Sequence, residues 1–297
     1  DGNGTFSETT VVSSFGGPLD VGAADLDGDG DKDLALFEYD DDDVYWYEND
    51  GGGSFTSHRL HSSWDAPYST ATGDADGDGD LDIVFAHTGS ADDLVLWTND
   101  GSGAFGSSYI SSSYANPNWV RFVDLDKDND LDLLTTAYEA DDVTWWENDG
   151  TGSFTQHTID GNLDGAMGAI AGDFDGDGNL DVVAAGRAAN SVQLYRNDGS
   201  HTFAVEPIVT NYGGSRYPSA EDIDLDGDLD LVSNASDDNS IHWWENDGTG
   251  TFTQHTVSTS AGGAFRSIAE DFDGDGIVEI VSTLYDDNEI VMWEIYE

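Results

Sequence analysis

The sequence predicts an all-β fold, and specifically a six-bladed β-propeller built from four-stranded antiparallel blades. A nine-residue aspartate-rich segment recurs six times, at intervals of 49 or 50 residues. Between the copies, short β-branched and aromatic runs alternate with Asn, Asp and Gly turns, which is typical of strands, and no stretch has a helical period. Four strands of five or six residues with their turns fill such a repeat, which is the content of one propeller blade.

The third repeat illustrates the predicted order of strands. Residues 131–137 (LDLLTTA) leave the acidic segment as a strand, and residues 143–147 (VTWWE) form the next one. The turn 148–152 (NDGTG) then leads into a strand at 153–159 (SFTQHTI). A small-residue strand at 166–172 enters the following acidic segment, so each repeat supplies four strands.

The two ends of the chain predict a closed ring. The first six residues (DGNGTF) match the start of an outer strand such as 149–154, whereas the C-terminal strand at 292–296 lacks such a partner. We therefore expect residues 1–12 to complete the sixth blade through ordinary strand pairing. Residues 1–297 are then a single domain, because the repeats leave no linker.

The six acidic segments have the composition of calcium loops. Positions 1, 3 and 5 are Asp in all copies, and position 9 is Asp in five copies and Glu279 in the last. Position 7 is Ile277 in the last copy, so this position can contribute only its carbonyl. Three monodentate carboxylates, one carbonyl and a bidentate position 9 supply about six oxygens, which suits Ca²⁺.

The sequence thus predicts about six calcium ions, one per blade. The predicted ligands, loop by loop, are Asp25, Asp27, Asp29, Asp31 and Asp33; Asp74, Asp76, Asp78, Asp80 and Asp82; Asp124, Asp126, Asp128, Asp130 and Asp132; Asp173, Asp175, Asp177, Asn179 and Asp181; Asp222, Asp224, Asp226, Asp228 and Asp230; and Asp271, Asp273, Asp275, Ile277 and Glu279. The alternative is that these segments are solvated acidic turns. An EF-hand is excluded because position 12 never carries Glu.

Backbone requirements also differ between loop positions. Position 6 is Gly in five copies and Asn129 in the other, which predicts left-handed backbone there. Position 4 is Gly in four copies but Lys127 and Leu225 in the other two, so the comparison predicts no strict steric requirement. The third and fifth loops therefore depart most from the rest.

A second periodicity makes the chain three copies of a two-blade unit. Tryptophan occupies one strand position in alternate blades, and a histidine follows in the same blades, as in Trp46 with His58. The other members are Trp145 with His157 and Trp243 with His255. These residues face each other across a hairpin, so a cross-strand packing pair explains them better than a shared three-histidine metal site.

Charge excludes several classes of partner. Lys and Arg total 8 against 62 acidic residues, for a formal net charge of -54. Six bound Ca²⁺ would leave about -42, which still repels nucleic acid and anionic membranes. High salt screens such charge, so we expect a marine or saline source, and millimolar extracellular Ca²⁺ favours a secreted or cell-surface location. The chain has no Cys and no 18-residue apolar run, so membrane insertion is not expected.

The pattern D-x-D-G-D-G-x-x-D, followed by LDLV, a strand and NDGxGxF, resembles the FG-GAP or VCBS-type repeat. The resemblance covers essentially the whole chain. Integrin α-subunit heads are similar but seven-bladed, so the six repeats depart from them. The resemblance implies a calcium-rigidified extracellular propeller used for adhesion, glycan binding or assembly, and occasionally as an appendage of enzymes.

No nucleophile-elbow, zinc-protease or Walker motif occurs, so we expect a non-enzymatic binding or adhesion module for glycans. The alternatives are a self-assembling subunit of an extracellular filament, sheath or surface layer and, more weakly, a polysaccharide lyase or hydrolase. Partners would be a glycan, a cell-surface or extracellular protein, or copies of the chain itself.

The predicted ligand face lies opposite the acidic loops, where the connections between strands differ most from one copy to the next. Its candidate residues are Trp64, Tyr68, Tyr114, Trp119, Tyr212 and Tyr217. Aromatic rings beside carboxylates suit sugars, which offer C–H surfaces and hydroxyl donors. The alternative is that these aromatic side chains cap the cores of the blades.

Overall fold

A computed structural model describes residues 10–13, 15–89 and 92–294 of the chain. Within these residues it contains 23 β-strands and no helix, so the all-β prediction is confirmed. The described residues fall into two compact units, 10–161 and 162–294. Each unit contains three antiparallel sheets, and in each sheet the strands follow one another in chain order.

The first unit holds three four-stranded sheets. The first sheet consists of β1 (Val21–Ala24), β2 (Asp33–Glu38), β3 (Asp43–Asn49) and β4 (Phe55–His61). The second consists of β5 (Pro67–Gly73), β6 (Asp82–His87), β7 (Asp93–Asn99) and β8 (Phe105–Ser111). The third consists of β9 (Pro117–Val123), β10 (Asp132–Ala137), β11 (Asp142–Asn148) and β12 (Phe154–Asp160).

The second unit holds two four-stranded sheets and one three-stranded sheet. The fourth sheet consists of β13 (Ala166–Gly172), β14 (Asp181–Gly186), β15 (Ser191–Asn197) and β16 (Phe203–Thr210). The fifth consists of β17 (Ser215–Glu221), β18 (Asp230–Ala235), β19 (Ser240–Asn246) and β20 (Phe252–Ser258). The sixth consists of β21 (Ala264–Glu270), β22 (Glu279–Leu284) and β23 (Glu289–Glu294).

Four strands per repeat are thus confirmed in five sheets. The fourth strand predicted for the sixth sheet would come from residues 1–12, of which 1–9 lie outside the described residues. Among the described strands, β23 pairs only with β22.

The second strand of a sheet forms its most buried layer. Every residue of β6, β10, β14 and β18 is buried. In contrast, every residue of β12 is either exposed or half-buried. Strands covered on both faces need continuous apolar or small side chains, whereas edge strands alternate with polar ones. This explains why the residues after each acidic loop, such as LDLL, do not alternate.

Neighbouring sheets within a unit pack through aromatic and aliphatic side chains. Phe37 of β2 meets Phe85 of β6 edge to face, with ring centroids 6.3 Å apart, inside a cluster that joins the first and second sheets. In the second unit, Phe174 and Leu231 belong to a cluster that joins the fourth and fifth sheets. The hydrophobic core therefore lies between sheets.

The predicted tryptophan–histidine pairs are confirmed as cross-strand neighbours. Trp46 of β3 pairs with His58 of β4, and their rings stack with centroids 4.4 Å apart. The equivalent distances are 4.6 Å for Trp145 with His157 and 4.3 Å for Trp243 with His255. Each histidine Nε2 also contacts a glutamate on the tryptophan's strand, at 2.7 to 2.8 Å. Each histidine is thus occupied within its own hairpin.

One histidine is buried without a hydrogen bond. His87, at the end of β6, is fully buried, and neither ring nitrogen has a hydrogen-bond partner. Its ring packs against the indole of Trp64, with ring centroids 4.5 Å apart. The ring of His61 packs against the same indole, with centroids 4.6 Å apart. Burial, and then the nearby His61, lowers the pKa of His87 to about 3, although Asp65 acts in the opposite direction. The folded protein therefore holds this side chain neutral.

This burial predicts an acid-dependent loss of stability. An unfolded chain protonates His87 near pH 6.5, whereas the folded chain does not until about pH 3. The contribution of His87 is therefore fully present above pH 6.5 and falls below it, by up to about 1.4 kcal/mol per pH unit. Urea unfolding between pH 6.5 and 5 measures how steeply the unfolding free energy falls with pH. We expect this fall to be smaller in His87→Leu than in the parent protein, by the contribution of His87.

His201→Gln supplies the control, because it removes an imidazole that is exposed and not buried. Parallel pH dependences of His87→Leu and the parent protein would contradict the assignment.

Candidate metal-binding loops

Each acidic loop joins the first strand of a sheet to the second. In the third sheet, residues 124–132 connect β9 to β10, and the turn that follows β11 lies at the same end of the sheet. The loop therefore meets two other strands of its own sheet.

The position-9 carboxylate holds these segments together. In the third loop, Asp132 Oδ2 accepts the N–H of Leu125 at 3.0 Å, and Oδ1 accepts the N–H of Asn148 at 2.8 Å. The side chain is fully buried. One carboxylate thus joins the end of β9, the start of β10 and the end of β11.

The same pair of bonds, 2.7 to 3.2 Å long, recurs in four other loops, at Asp33, Asp82, Asp181 and Asp230. Glu279 makes the first of the two bonds, to Phe272, at 2.8 Å. Each oxygen of a position-9 Asp therefore already accepts a backbone N–H. A bidentate bond to a cation would have to use the remaining lone pairs, which the sequence comparison did not reveal.

Two left-handed residues shape each loop. Position 6 has positive φ in all six loops, from 78° at Asn129 to 103° at Gly227, as predicted. Position 4 is also left-handed throughout, including Lys127 at 63° and Leu225 at 62°. Position 4 therefore has a backbone requirement that the sequence comparison did not reveal, although residues other than glycine can meet it. Lys127 and Leu225 adopt a left-handed conformation that costs a residue other than glycine roughly 1–2 kcal/mol.

The loops bring carboxylate oxygens together at the spacing of a cation site. In the first and second loops the clustered atoms come from positions 1, 3 and 5, and in the third and fourth from positions 1, 3 and 9. In the sixth loop, Asp271, Asp273, Asp275 and Glu279 all contribute. Within each group the ligand atoms lie within 4.8 Å of one another. Oxygens that bind one Ca²⁺ at 2.3–2.6 Å must be about this close.

Several of these oxygens are buried without a hydrogen bond. Oδ1 of the position-1 residues Asp124, Asp173 and Asp222 has no partner, and neither has Oδ1 of Asp76 at position 3. In the first, second and sixth loops, position 1 instead accepts the N–H of the position-4 glycine at 2.7 to 2.9 Å. A buried anionic oxygen needs a partner, so this donor set fits a divalent cation.

Electrostatics within the loops favours the same occupant. Burial raises the pKa of Asp82 to about 6 against the two backbone N–H bonds that lower it, and Asp76 and Asp78 raise it further. Burial likewise raises the pKa of Asp181 and of Asp230 to about 6. Burial and the neighbouring charges of Asp78 and Asp74 raise the pKa of Asp76. A bound cation would reverse these shifts by stabilising the charged carboxylates.

Position 7 directs its side chain away from the cluster. A Cβ on the turn residue Gly150 would fall 2.5 Å from Asp130 Oδ2, so this carboxylate lies against the turn after β11. The position-7 side chains Asp80 and Asp228 lie against the equivalent glycines, Gly101 and Gly248. This placement agrees with the prediction that position 7 offers only its carbonyl.

Asparagines connect loops of neighbouring sheets within each unit. Asn148 donates through Nδ2 to the carbonyl of Ala75, at position 2 of the second loop, at 2.7 Å. Asn99 and Asn246 make the equivalent bonds to Leu26 and Phe174 at 2.6 and 2.9 Å. The backbone N–H of each asparagine bonds the position-9 Asp of its own sheet. The loop region therefore links sheets as well as strands.

Arg196 supplies a cation of the protein's own at the fourth loop, which the sequence comparison missed. Its guanidinium donates to Asp175 Oδ2 at position 3 (2.9 Å) and to Glu206 Oε2 (3.2 Å). It also donates to the carbonyls of Thr249 and Gly250 in the fifth sheet, at 2.9 and 3.0 Å. The same strand position carries Glu48, Glu147 and Glu245 in other sheets. The fourth loop, with Asn179 at position 7, is therefore the least negative of these sites.

The predicted ligand-face aromatics lie mostly in the core. Trp64, Tyr114, Trp119, Tyr212 and Tyr217 are 4 to 8% exposed, and Tyr68 is half-buried. Trp64, Tyr114 and Tyr212 lie in connections between sheets, and each packs edge to face on a tryptophan in the third strand of the following sheet, at 5.3 to 5.7 Å. This burial agrees with the alternative that these aromatic side chains cap the cores. The most exposed described tyrosine is Tyr285, at 78%.

Four-stranded meander sheets with an acidic nine-residue loop between the first two strands define a class of repeat protein with propeller-type sheets. The chain belongs to the FG-GAP-like repeat family, whose model matches residues 25–85, 74–135, 131–184, 173–233 and 222–282. The resemblance inferred from the loop motif is therefore confirmed.

Solved structures with propeller-type folds are similar to this chain. A lectin from Agrocybe aegerita, described for its recognition of non-reducing terminal N-acetylglucosamine, has a TM-score of 0.63 and 19% identity over 92% of this chain and 79% of its own. A virginiamycin B lyase from Staphylococcus aureus gives 0.61 and 14% over 96% and 82%. A putative 6-phosphogluconolactonase from Bacteroides fragilis gives 0.65 and 15% over 96% and 82%. At these identities the likeness extends to the fold alone.

No curated protein matches the chain significantly. The part of the chain that the structure describes contains no helix with the length and apolar character needed to cross a bilayer.

The position-9 bonds predict a stability difference between two isosteric substitutions. Asp132→Asn leaves one side-chain oxygen for the two N–H donors of Leu125 and Asn148, so one buried donor loses its acceptor. We expect a loss of about 1–3 kcal/mol in unfolding free energy. Urea unfolding in a chelating buffer measures it without a contribution from metal.

Asp130→Asn at position 7 removes the same charge two residues away and recreates the residue found at Asn179. It should change stability by less than about 0.5 kcal/mol. Equal effects of the two variants would refute the structural role of position 9.

Arg196 predicts opposite effects on intrinsic stability and on cation binding. Arg196→Glu removes four donated bonds and should lower the unfolding free energy in chelator by about 1–3 kcal/mol. It also makes the fourth loop more negative, so Ca²⁺ should stabilise this variant more than the parent protein. Thermal unfolding with and without Ca²⁺ gives both quantities.

Thr98→Glu is the matched control. It adds a negative charge at the same strand position of the second sheet, without removing the hydrogen bonds that Arg196 donates. If Arg196→Glu is as stable as the parent protein in chelator, the hydrogen bonds of the guanidinium make no net contribution to the unfolding free energy.

Proposed function

We propose that the chain is a calcium-stabilised, six-bladed β-propeller that acts outside the cell as a non-enzymatic binding module for glycans. The observation that carries this proposal is that the two ends of the sheets differ: one end repeats the same loop, and the other end varies. The acidic loops repeat one hydrogen-bonded design, in which the position-9 carboxylate joins the strands of its own sheet. The connections at the other end differ from sheet to sheet, which suits ligand recognition.

The choice of calcium rests on the loops. They gather hard oxygen ligands within 4.8 Å and leave buried carboxylate oxygens without partners. Such sites with several carboxylates and a carbonyl suit Ca²⁺ better than Mg²⁺, which keeps most of its waters. Extracellular fluids supply millimolar Ca²⁺, and screening by salt would make the charge of -54 tolerable.

The closed ring and the single domain rest on sequence spacing. Phe154 and Phe252, which begin β12 and β20, each stand 19 residues before the next acidic loop, and Phe6 stands 19 residues before Asp25. Residues 6–12 therefore have the spacing of a fourth strand. Among the described strands β23 pairs only with β22, and its residues Ile290 and Met292 are 75% and 54% exposed, so such a strand would pair with the other side of β23.

Glycans are the proposed ligands because the ends of individual sheets opposite the loops carry exposed aromatic rings beside carboxylates. Tyr285 is 78% exposed beside Asp286, and Tyr39 is 39% exposed beside Asp40. Rings and carboxylates together match the C–H faces and hydroxyl groups of sugars. The Agrocybe aegerita lectin of similar fold recognises N-acetylglucosamine, which makes this sugar the first to test.

A self-assembling subunit of a filament, sheath or surface layer is the second candidate. β23 favours it, because among the described strands it pairs only with β22, and a strand with one partner can accept a strand from a second copy. In that case residues 1–12 of one copy would pair with β23 of the next, with calcium still stabilising each subunit.

The proposal is tested by glycan-array binding and thermal unfolding of the protein, in Ca²⁺ and in chelator. We expect binding in Ca²⁺, and a melting temperature at least about 5 °C lower in chelator, because a ligand that binds only the folded form stabilises it by mass action. An unchanged midpoint would reject structural calcium. An array without a binder would reject the glycan module, and ordered polymers by electron microscopy would favour the assembly candidate.

A further inference from the structure

A pocket of about 340 Å³ opens between the fifth and sixth sheets, at the end opposite their acidic loops. Its lining includes Arg216, Ser236, Asp237, Phe265, Tyr285 and Asp286. We propose that this pocket binds the terminal neutral sugar residue of a glycan. The inference rests on the proposed function and deepens it, since it names the site and the chemical class of the ligand.

The apolar side of the pocket is built from two aromatic rings. Phe265 is half-buried and packs against Tyr217, with ring centroids 5.5 Å apart, so its orientation is fixed from behind. Tyr285 is 78% exposed although it lines the pocket. The fixed ring of Phe265 and the exposed ring of Tyr285 can both pack against the C–H face of a pyranose. Such packing buries apolar surface and does not require one exact orientation of the sugar.

The polar side offers both donors and acceptors. The Arg216 guanidinium lies over Phe265 at 4.8 Å, and its Nε donates to Ser236 Oγ at 3.3 Å, so the group is oriented before a ligand arrives. Asp237 and Asp286 are exposed carboxylates at the rim. Sugar hydroxyl groups donate to carboxylates and accept from a guanidinium, so they can satisfy both sides at once.

Matching turns hold the two carboxylates in place. Asp238 accepts the N–H of Gly213 at 2.6 Å, and Asp287 accepts the N–H of Gly262 at 2.8 Å, so each turn uses its second aspartate for its own backbone. The first aspartate of each pair, Asp237 or Asp286, lines the pocket.

Glycines keep these turns tight. Gly263 is left-handed at φ 60°, and a Cβ on it would lie 2.8 Å from Asp286 Cγ. Gly214 has φ 71°, and a Cβ on it would lie 2.8 Å from Asp237 Cγ. A site made from such constrained turns loses little freedom when it binds, which favours affinity.

Charge selects a neutral ligand over an anionic one. The pocket pairs one guanidinium with two carboxylates, on a chain with a formal net charge of -54. A uronic acid, sialic acid or phosphate would be repelled by the carboxylates and by the field of the whole protein. A neutral hexose or N-acetylhexosamine meets no such penalty.

The test uses methyl glycosides of glucose, galactose, mannose and N-acetylglucosamine, with methyl glucuronoside as the anionic member. Saturation-transfer NMR on the full chain in Ca²⁺ detects binding, and titration of the best glycoside gives its affinity. We expect at least one neutral glycoside to bind and the glucuronoside not to bind. Tyr285→Ala and Asp286→Asn should each weaken binding about tenfold.

Tyr109→Ala is the control, because Tyr109 is also an exposed tyrosine, at 61%, but lies on the fourth strand of the second sheet and does not line the pocket. It should leave binding unchanged. Tyr285 and Asp286 are exposed, so their variants should keep the parent melting temperature, which is measured alongside.

A neutral glycoside that binds both pocket variants as tightly as the parent protein would overturn the pocket assignment and leave the proposed glycan function standing. Preferred binding of the glucuronoside would overturn the ligand class. If neither the glycosides nor a glycan array yields a binder, both the pocket assignment and the proposed function fail.

Discussion

The structure depends on one repeated interaction, the buried carboxylate at the end of each acidic loop. Asp132 accepts backbone N–H groups from Leu125 and Asn148, which lie 7 and 16 residues away, and thereby fixes three strands at one end of a sheet. A charged acceptor makes short, strong bonds of this kind, but only where its own desolvation is offset. Because Asn148 also donates to Ala75 of the neighbouring sheet, the same node orients one sheet against the next.

This arrangement explains why the remaining acidic residues can be so dense. Once position 9 has fixed the backbone, positions 1, 3 and 5 converge because left-handed residues at positions 4 and 6 fold the loop back on itself. The convergence leaves unpartnered buried oxygens, such as Asp173 Oδ1, and raises the pKa of Asp76. A divalent cation would remove both costs and would complete a loop whose path the backbone bonds already define. In the fourth loop, Arg196 supplies part of that compensation from within the chain.

Much of the fold could be predicted from the sequence because it depends on periodicity. Strands β10 and β11 begin within one residue of the positions predicted from LDLLTTA and VTWWE, and Trp46 faces His58 as expected. The details that failed depend on packing. Lys127 and Leu225 concealed the left-handed requirement at position 4, because residue identity is a weak guide to φ outside glycine. Trp64, Tyr114 and Tyr212 suggested an exposed face, yet they turn into the core, since a connection rich in aromatic side chains has the same composition in either place.

The sequence by itself determined the all-β class, the repeat length and the positions of the clustered carboxylates, because these follow from residue type and spacing. Only the tertiary structure decided what the side chains do. It showed that both oxygens of Asp132 already serve the backbone, and that Arg196 reaches Thr249, 53 residues away, in another sheet. It also brought Arg216, Phe265 and Tyr285 around one pocket. The physical reason is that burial and pairing are properties of surfaces formed by distant segments, and no local pattern of residues encodes which surfaces meet.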